Sequence, residues 1–173
     1  MRIFICRICG EVYLGREIPP SCPFCGVENK YLALGNVWKF EDNIEITAKE
    51  RENLEKALEL EMSNTKFYKC VSKTVPDSQL AKMFKGLSRV EKEHADVFRK
   101  ILKRDDFPKV HESCNEDIEK CLSGSLLREK GAVEFYQKAL SEAETPRVKE
   151  VLEAIMKVEK DHIELDEAIS NKY

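Results

Sequence analysis

The chain has 173 residues, of which 42% are hydrophobic and 35% are charged, a mixture typical of soluble helical proteins with heavily charged outer faces. Its net charge of -3 argues against a polyanion-binding surface, so we expect no nucleic-acid partner. No apolar run approaches the roughly 20 residues of a membrane span, and we expect a cytoplasmic protein without a membrane partner.

Two CxxC pairs dominate the first 40 residues. Cys6 and Cys9 form the first pair, Cys22 and Cys25 form the second, and a glycine follows each pair. This spacing predicts a tetrathiolate metal site, which would stabilise a module with too little apolar mass to fold unaided. A zinc ribbon with a purely structural metal has the same spacing and stays open as an alternative. We assign residues 1–40 to this metal module and the start of a linker, and residues 41–173 to a second domain.

The remaining cysteines lack ligand spacing. The chain has seven cysteines, an odd number, and the CxxC pairs favour metal binding in a reducing compartment over a disulfide framework. We therefore expect Cys70, Cys114 and Cys121 to pack between helices as small hydrophobic residues.

The hydrophobic periodicity is helical from about residue 48 onward. Thr47 and Glu50 have the Ser/Thr-x-x-Glu spacing of a capping box, which predicts a helix over about 48–74. Pro76 ends that helix, and a second helix is predicted over about 78–103. A break follows over 104–111, and its single histidine, His111, is expected at the surface.

The second half of the chain predicts another helix pair. Ser113 and Glu116 form a second capping-box pattern, which opens a helix predicted to run to about residue 143. Thr145 and Pro146 supply an N-cap and a first-turn proline for a fourth helix to about residue 170.

A single sequence offset relates the two helix pairs. Adding 68 to a position in the first pair gives a matching residue in the second, as in Glu61 and Glu129, Tyr68 and Tyr136, Glu91 and Glu159, and His94 and His162. Glutamate and histidine three residues apart lie on one helix face, so each ExxH pattern points at a common centre. Surface charge alone would not require a shared offset.

Two single glutamates and two ExxH patterns make up the ligand set of di-iron and di-manganese carboxylate bundles. Four buried glutamates without a cation would be very costly, so a buried cluster of this kind predicts bound metal. Tyr68 and Tyr136 follow Glu61 and Glu129 by two helical turns and should lie just above the site. There they could orient a carboxylate, relay an electron or simply pack.

The long break between the second and third helices predicts a crossover. If His94 and Glu129 are to lie at one level of parallel helices, the chain must climb ~14 Å and then recover ~22 Å along the third helix. About ten extended residues reach ~34 Å, enough for one connection along the bundle. The sequence therefore predicts a mainly α fold, a ferritin-like four-helix bundle with one long crossover, preceded by the small metal module.

These motifs resemble a rubrerythrin over nearly the whole chain. The pattern CxxCG, a proline pair before CPxCG, and the glutamate and ExxH motifs of the bundle carry the resemblance. The order of the domains, with the rubredoxin-like module first, is similar to that of the reverse rubrerythrins. The resemblance implies a non-haem di-iron oxidoreductase that reduces hydrogen peroxide, or oxygen, to water in oxidative-stress protection.

The resemblance also implies which residues hold iron. One iron would bind Cys6, Cys9, Cys22 and Cys25, and two irons would share Glu61, Glu91, His94, Glu129, Glu159 and His162. By analogy with related bundles, Glu91 and Glu159 would bridge the two metals. Glu61 with His94 would serve one metal, and Glu129 with His162 the other. Tyr68 and Tyr136 complete the candidate catalytic set, and zinc or manganese could replace iron.

The resemblance to rubrerythrins further implies a homodimer, or a larger homo-oligomer. In it, the tetrathiolate iron of one chain would lie close to the di-iron centre of the other. An upstream donor, either an NAD(P)H-dependent reductase or a rubredoxin-type carrier, would supply the electrons. The chain departs from the family at Ala132, where an additional glutamate is usual, which leaves the choice between peroxide and oxygen open. A ferroxidase or iron-storage protein and a non-catalytic zinc-ribbon protein are the alternative functions.

Overall fold

A computed structural model describes residues 1–35 and 44–173 of the chain. The linker that the sequence predicts to begin before residue 40 falls largely outside the described residues. The N-terminal module contains a three-stranded antiparallel sheet of order β2-β1-β3, formed by β1 (Arg2–Cys6), β2 (Val12–Gly15) and β3 (Leu32–Leu34). A short 3-10 helix, Asn29–Tyr31, precedes β3.

Four long helices form the rest of the described chain. They are α1 (Ala48–Thr74), α2 (Ser78–Ile101), α3 (Ile118–Glu142) and α4 (Pro146–Ser170). Helix α1 packs mainly on α2, α3 packs mainly on α4, and α1 also contacts α3. This is the four-helix bundle with one long crossover, residues 102–117, that the sequence predicts. None of the helices in the described ranges is long and apolar enough to cross a membrane.

The start of α1 confirms the first predicted capping box. The Thr47 hydroxyl accepts from the Glu50 backbone N–H at 3.1 Å, and the Glu50 carboxylate accepts from the Thr47 N–H at 2.8 Å. The same buried carboxylate also accepts from the backbone N–H groups of Glu144 and Thr145. One side chain therefore joins the first turn of α1 to the turn between α3 and α4.

The predicted start of α3 is wrong by about four residues. Asp117 caps the helix by accepting from the Lys120 backbone N–H at 3.0 Å, so the Ser113 pattern does not open it. At α4, Thr145 stands at the N-cap, but its hydroxyl donates to Glu50 at 2.8 Å instead of capping its own helix.

A disulfide ties the crossover to α1. Cys70 of α1 and Cys114 of the crossover are bonded to each other, with a sequence separation of 44. The expectation that both are packing thiols is therefore wrong, whereas Cys121 is a buried free thiol as expected. The sequence gives no spacing signal for this pair, because its partners meet only once the crossover runs back along the bundle. His111 of the crossover is exposed, as predicted.

An ion pair holds the crossover to α3. The Arg128 guanidinium lies over the Phe67 ring and donates to Glu112 at 2.7 Å and to the Ser63 hydroxyl at 2.8 Å. Because Ser63 also donates to Glu112 at 2.6 Å, the three side chains form a closed polar group that fixes the path of the crossover beside α1.

Candidate metal centres

The four cysteines of the module converge on one point. All four are buried, and their sulfur atoms lie within 4.8 Å of one another. The Sγ atoms of Cys6 and Cys25 are 3.8 Å apart, as are those of Cys9 and Cys22. A tetrahedral ion with metal–sulfur bonds of about 2.3 Å separates its ligands by about 3.8 Å, so the thiols fit one tetrahedral metal.

Two glycines shape the loops that carry these thiols. Gly10 and Gly26 have φ of 82° and 79°, the left-handed region that favours glycine. Each donates its backbone N–H to the first cysteine of its loop, Gly10 to the Cys6 carbonyl at 2.8 Å and Gly26 to the Cys22 carbonyl at 3.0 Å. The two loops therefore have the same local construction, one on each side of the thiol cluster.

The six predicted bundle residues also come together. Their ligand atoms form two overlapping groups, each within 4.8 Å, and every member is buried. One group contains Glu61 and His94, the other contains Glu129 and His162, and both contain Glu91 and Glu159. This arrangement offers two neighbouring positions for cations, with two carboxylates common to both.

The donor atoms of this cluster fit cations, because several have no protein partner. Oxygens of all four glutamates, and Nδ1 of His94, are buried without a hydrogen-bond partner among the described residues. Leaving so many charged or polar atoms unsatisfied is strongly unfavourable unless a cation satisfies them. Carboxylate and imidazole ligands suit iron, manganese and zinc.

The orientation of His94 is fixed from outside the bundle. Its Nε2 lies 2.9 Å from the backbone carbonyl oxygen of Cys25, and because a carbonyl only accepts, Nε2 carries the proton. The other nitrogen, Nδ1, faces the cluster, 2.9 Å from a Glu159 oxygen and 3.4 Å from a Glu91 oxygen. The module thus selects the tautomer that leaves Nδ1 free to bind a metal.

His162 takes the corresponding position on α4. Its Nδ1 lies 3.1 Å from oxygens of both Glu91 and Glu159, and 3.7 Å from Glu129. The two imidazole rings are nearly parallel, with centroids 6.4 Å apart. The two ExxH patterns therefore contribute one imidazole each, His94 to one group and His162 to the other.

The electrostatics of the cluster favour bound protons in the absence of a cation. Burial raises the pKa of Glu61 well above its ordinary range, and the carboxylates of Glu159 and Glu91 raise it further. Burial and the same two neighbours raise the pKa of Glu129 in the same direction. Burial opposes the charge on His94, but the adjacent Glu159 outweighs it and raises the pKa of His94 to about 10. Metal binding must therefore release protons from this site.

The two tyrosines bond across the bundle. The Tyr68 hydroxyl of α1 donates to Glu129 of α3, and the Tyr136 hydroxyl of α3 donates to Glu61 of α1. Burial raises the pKa of both tyrosines well above the ordinary range, so both hydroxyls stay protonated and donate. Of the three roles considered, the structure shows packing combined with orientation of a carboxylate.

The module packs directly against the bundle of the same chain. Lys100 of α2 donates to the Cys9 carbonyl at 3.0 Å, and Arg147 of α4 donates to the Arg7 carbonyl. Arg7 pairs with Glu150 of α4. A Cβ added at Gly26 would lie 2.9 Å from Val158, so the second cysteine loop meets α4 without room for a side chain.

The module and the bundle site of one chain lie together, because the Cys25 loop lies on His94 of the same chain. The exchange between chains that the family resemblance implies concerns an oligomer and stays a prediction.

Sequence reasoning missed two polar residues beside the cluster. Asp166 and Ser125 are fully buried, and Ser125 donates to the Tyr68 hydroxyl at 3.2 Å. The available signal was helical spacing, since Asp166 follows His162 by four residues and shares its face. Ala132, at the position where rubrerythrins usually have an additional glutamate, is buried and supplies no carboxylate.

Two family models match the chain in the order of its domains. The rubrerythrin model covers residues 52–169, and the model of the rubrerythrin rubredoxin-like domain covers residues 4–32. Among proteins with curated descriptions, none matches.

Solved structures of similar fold include two bacterioferritins. That of Rhodobacter capsulatus, described as having a metal-free dinuclear site, is 22% identical with a TM-score of 0.67 and covers 75% of this chain and 88% of its own. Mycobacterium tuberculosis bacterioferritin BfrA is 19% identical with a TM-score of 0.62, over 72% of this chain and 86% of its own. A hypothetical protein from Pyrococcus furiosus is 22% identical with a TM-score of 0.61, over 70% and 88%.

At these identities the solved structures show a shared ferritin-like fold and nothing finer. The family match is more specific, because the rubrerythrin model spans more than half of the chain and includes all six residues of the bundle cluster. The preceding rubredoxin-like match includes all four clustered cysteines. The chain belongs to the rubrerythrin family.

Proposed function

We propose that this protein is a rubrerythrin-type peroxidase, an oxidoreductase that reduces hydrogen peroxide to water with electrons received through the rubredoxin-like module. The contact of the Cys25 carbonyl with His94 carries this proposal, because it joins a four-thiolate site to a buried two-metal cluster through a single hydrogen bond. The overall reaction adds two electrons and two protons to one peroxide molecule and yields two water molecules. Oxygen is the alternative oxidant.

The donor sets are compatible with iron in both centres. Cys6, Cys9, Cys22 and Cys25 would hold one iron, and the six bundle residues would hold two, with Glu91 and Glu159 as the shared ligands. Glu61 with His94 would complete one position, and Glu129 with His162 the other. When bound, the thiolate iron supplies one-electron transfer, and the bundle pair supplies the two-electron reduction of the oxidant.

The residues of the chain then have distinct tasks. His94 keeps one ring nitrogen on the module and presents the other to the cluster, so it links the two centres. Tyr68 and Tyr136 hold protons and orient the two glutamates that are not shared. Glu61, Glu91, Glu129 and Glu159 are fully buried, which keeps bulk water from competing for their oxygens.

The cellular location, the electron donor and the oligomeric state stay predictions. We expect a cytoplasmic protein that receives electrons from an NAD(P)H-dependent reductase or a rubredoxin-type carrier and that assembles as a homodimer or larger homo-oligomer. Within one chain, the path through Cys25 and His94 supports electron transfer without a neighbouring subunit.

Metal analysis combined with peroxide turnover tests the proposal. Anaerobically purified protein should carry three irons per chain and consume peroxide when a reductase supplies electrons. Glu91→Ala or Glu159→Ala should abolish turnover and retain the iron–thiolate absorption, because the thiol cluster is on a separate module.

Other outcomes would overturn the proposal. A colourless zinc protein that does not turn over after iron reconstitution would indicate a non-catalytic role. Elution as a large cage, with iron uptake and no donor-coupled peroxide reduction, would indicate iron storage.

A further inference from the structure

Asp166 is a buried carboxyl group to which the proposed chemistry assigns no task. It lies on α4 one turn beyond His162 and is fully buried, and neither of its carboxyl oxygens has a hydrogen-bond partner among the described residues. A carboxyl group in this position is unfavourable when charged. It is not one of the six clustered donors, so metal binding does not explain it.

Polar groups connect the neighbourhood of Asp166 to the metal cluster. Ser125 of α3 lowers the pKa of Asp166, although no hydrogen bond joins the two side chains in this structure. The Ser125 hydroxyl donates to the Tyr68 hydroxyl at 3.2 Å. Tyr68 in turn donates to Glu129. Asp166, Ser125, Tyr68 and Glu129 therefore form a polar row that ends at the cluster.

Among the residues that the structure describes, this row exists on one side of the cluster only. The 68-residue offset relates Tyr68 to Tyr136, but it relates Ser125 to Ala57 and Asp166 to Phe98. Ala57 and Phe98 are buried and apolar, and Phe98 stacks on Tyr136 with centroids 5.9 Å apart. The two halves of the bundle thus have the same residues at the ligand and tyrosine positions but different residues at the positions of Ser125 and Asp166.

The two sides also differ in their relation to the module. The apolar side, with Tyr136 and Phe98, belongs to the core that includes the four cysteines. Tyr68 belongs to the other core cluster, together with Leu122. Electrons would therefore enter from the side that lacks the polar row.

We propose that Asp166 holds a proton for the reduction and passes it through Ser125 and Tyr68 toward the Glu129 side of the metal cluster. This inference rests on the proposed peroxidase function. In each turnover two electrons arrive from the module, and two protons are needed to convert peroxide to two water molecules. Asp166 supplies one of these protons as the Asp166 O–H bond breaks and a new O–H bond forms on the reduced oxygen. Asp166 is then reprotonated from solvent at the C-terminal end of α4, where Ser170, one turn further on, is exposed.

The electrostatic surroundings suit this task. Burial raises the pKa of Asp166 to about 6, although Ser125 and His162 each lower it, and Glu91 of α2 raises it slightly. Tyr68 of α1 and Glu129 of α3 are the remaining ionisable groups along the row. A carboxyl group with this pKa is partly protonated near neutral pH, as a proton donor requires. Asp166 acts through its neighbours, so it is a positioned proton source and not a catalytic residue.

A titration of the full-length protein gives a readout that does not depend on turnover. With zinc in both centres and ¹³C-labelled aspartate, one carboxyl resonance should titrate near pH 6. That resonance should be missing in Asp166→Asn and shifted in Ser125→Ala. If Asp166 titrates like the exposed aspartates, the proposal is wrong.

The pH profile of peroxide turnover tests the role itself. Wild-type turnover should fall as pH rises through the pKa of Asp166, because the proton is then lost. Asp166→Asn should reduce turnover by about 10²-fold and remove that limb of the profile. Ser125→Ala should act in the same direction, and Ser125→Thr should restore the hydroxyl and most of the rate.

Matched controls separate this role from a structural one. Glu164→Gln removes an exposed carboxyl from the same helix and should leave the profile unchanged. Iron content should be equal in all variants, and a loss of iron in Asp166→Asn would overturn the proposal by making Asp166 a ligand. If wild-type protein reduces no peroxide, the proposed function fails, and the titration then decides whether Asp166 holds the proton. Equal profiles in wild type and Asp166→Asn would overturn the role of Asp166 alone.

Discussion

The backbone carbonyl oxygen of Cys25 accepts a hydrogen bond from Nε2 of His94 at 2.9 Å. This contact sets the tautomer of a candidate metal ligand from another domain, so docking of the module and readiness of the bundle site are linked. A module that moves away would leave the His94 proton without its acceptor, and the ring would lose the interaction that aims Nδ1 at the cluster.

Mixed oligomers test whether electrons pass within one chain. If an oligomer forms, chains with Cys22→Ala lack the donor site, and chains with Glu91→Ala lack the acceptor site. Because the structure joins both sites in one chain, isolated mixed dimers of these two variants should stay as inactive as their parents in reductase-coupled peroxide turnover.

The control for this experiment pairs a wild-type chain with a chain that carries both substitutions. Transfer within a chain predicts about half of the wild-type rate for that dimer, whereas transfer between chains predicts none. The two dimers therefore give opposite results under the two routes. Half of the wild-type activity in the first dimer and none in the second would instead show that electrons pass between subunits, as the family resemblance implies.

Gly26→Ala should impair docking of the module. The added Cβ would lie 2.9 Å from Val158, and alanine at φ 79° costs about 1–2 kcal/mol in addition. We expect donor-coupled turnover to fall more than the iron–thiolate absorption. Val158→Ala in the same chain should relieve the contact but not the backbone strain, so it should restore part of the turnover. No recovery in the double variant would show that strain alone is responsible.

The sequence predicts the parts of this molecule that repeat. The 68-residue offset and the ExxH spacing identify all six residues that converge in the bundle, because ligands on one helix face are separated by whole turns. The starts of α1 and α4 could also be predicted, because a capping box at Thr47 and a first-turn proline at Pro146 mark them locally. These features depend on neighbours in the sequence, which is why sequence reasoning reaches them.

Features that depend on distant contacts were not accessible. Cys70 and Cys114 have no common motif, and their bond follows from the path of the crossover. Thr145 bonds to Glu50 across the bundle instead of capping α4, a choice that tertiary packing makes. Docking of the module against His94 likewise depends on the close contact between Gly26 and Val158, which no sequence-spacing rule describes.

Glu61→Gln should change the pH dependence of stability in metal-free protein. The pKa of Glu61 is higher in the folded state than in the unfolded state. Its stabilising contribution is therefore complete below the unfolded value of 4.5 and is lost as pH rises toward the folded pKa. Relative to the variant, metal-free wild type should lose up to about 1.4 kcal/mol per pH unit above that point.

The measurement is denaturant unfolding of chelator-treated protein across pH, with Glu59→Gln as a control for an exposed carboxyl on α1. In iron-loaded protein the order should reverse, because Glu61→Gln removes a ligand and the wild type should then be more stable. Parallel pH curves for wild type and Glu61→Gln without metal would contradict the assignment of a raised pKa.

Reduction of the Cys70–Cys114 disulfide should destabilise the bundle. A disulfide that closes a loop of this size stabilises by about 4 kcal/mol in the chain-entropy description, which is an upper estimate. Cys70→Ser with Cys114→Ser should lower the free energy of unfolding by a similar amount and make it insensitive to reductant. Cys121→Ser is the matched control, because Cys121 is free and should leave the response to reductant intact. Identical unfolding of wild type with and without reductant would show that the bond does not form in solution.

Glu50→Gln should destabilise the junction of α1 with the α3–α4 turn in a pH-dependent way. The Glu50 carboxylate is buried and accepts from the backbone of Thr47, Glu144 and Thr145. Burial raises its pKa, but these bonds outweigh burial and lower the pKa to about 2. Its contribution is therefore complete above the unfolded value of 4.5 and disappears as pH falls toward 2, with a maximum of about 3 kcal/mol.

Unfolding free energies of Glu50→Gln and wild type should thus differ at pH 7 and converge in acid. Glu55→Gln, an exposed change on the same helix, should follow wild type at every pH. A constant difference between Glu50→Gln and wild type from pH 7 down to pH 3 would mean that the charge of Glu50 contributes nothing and that only its shape is needed.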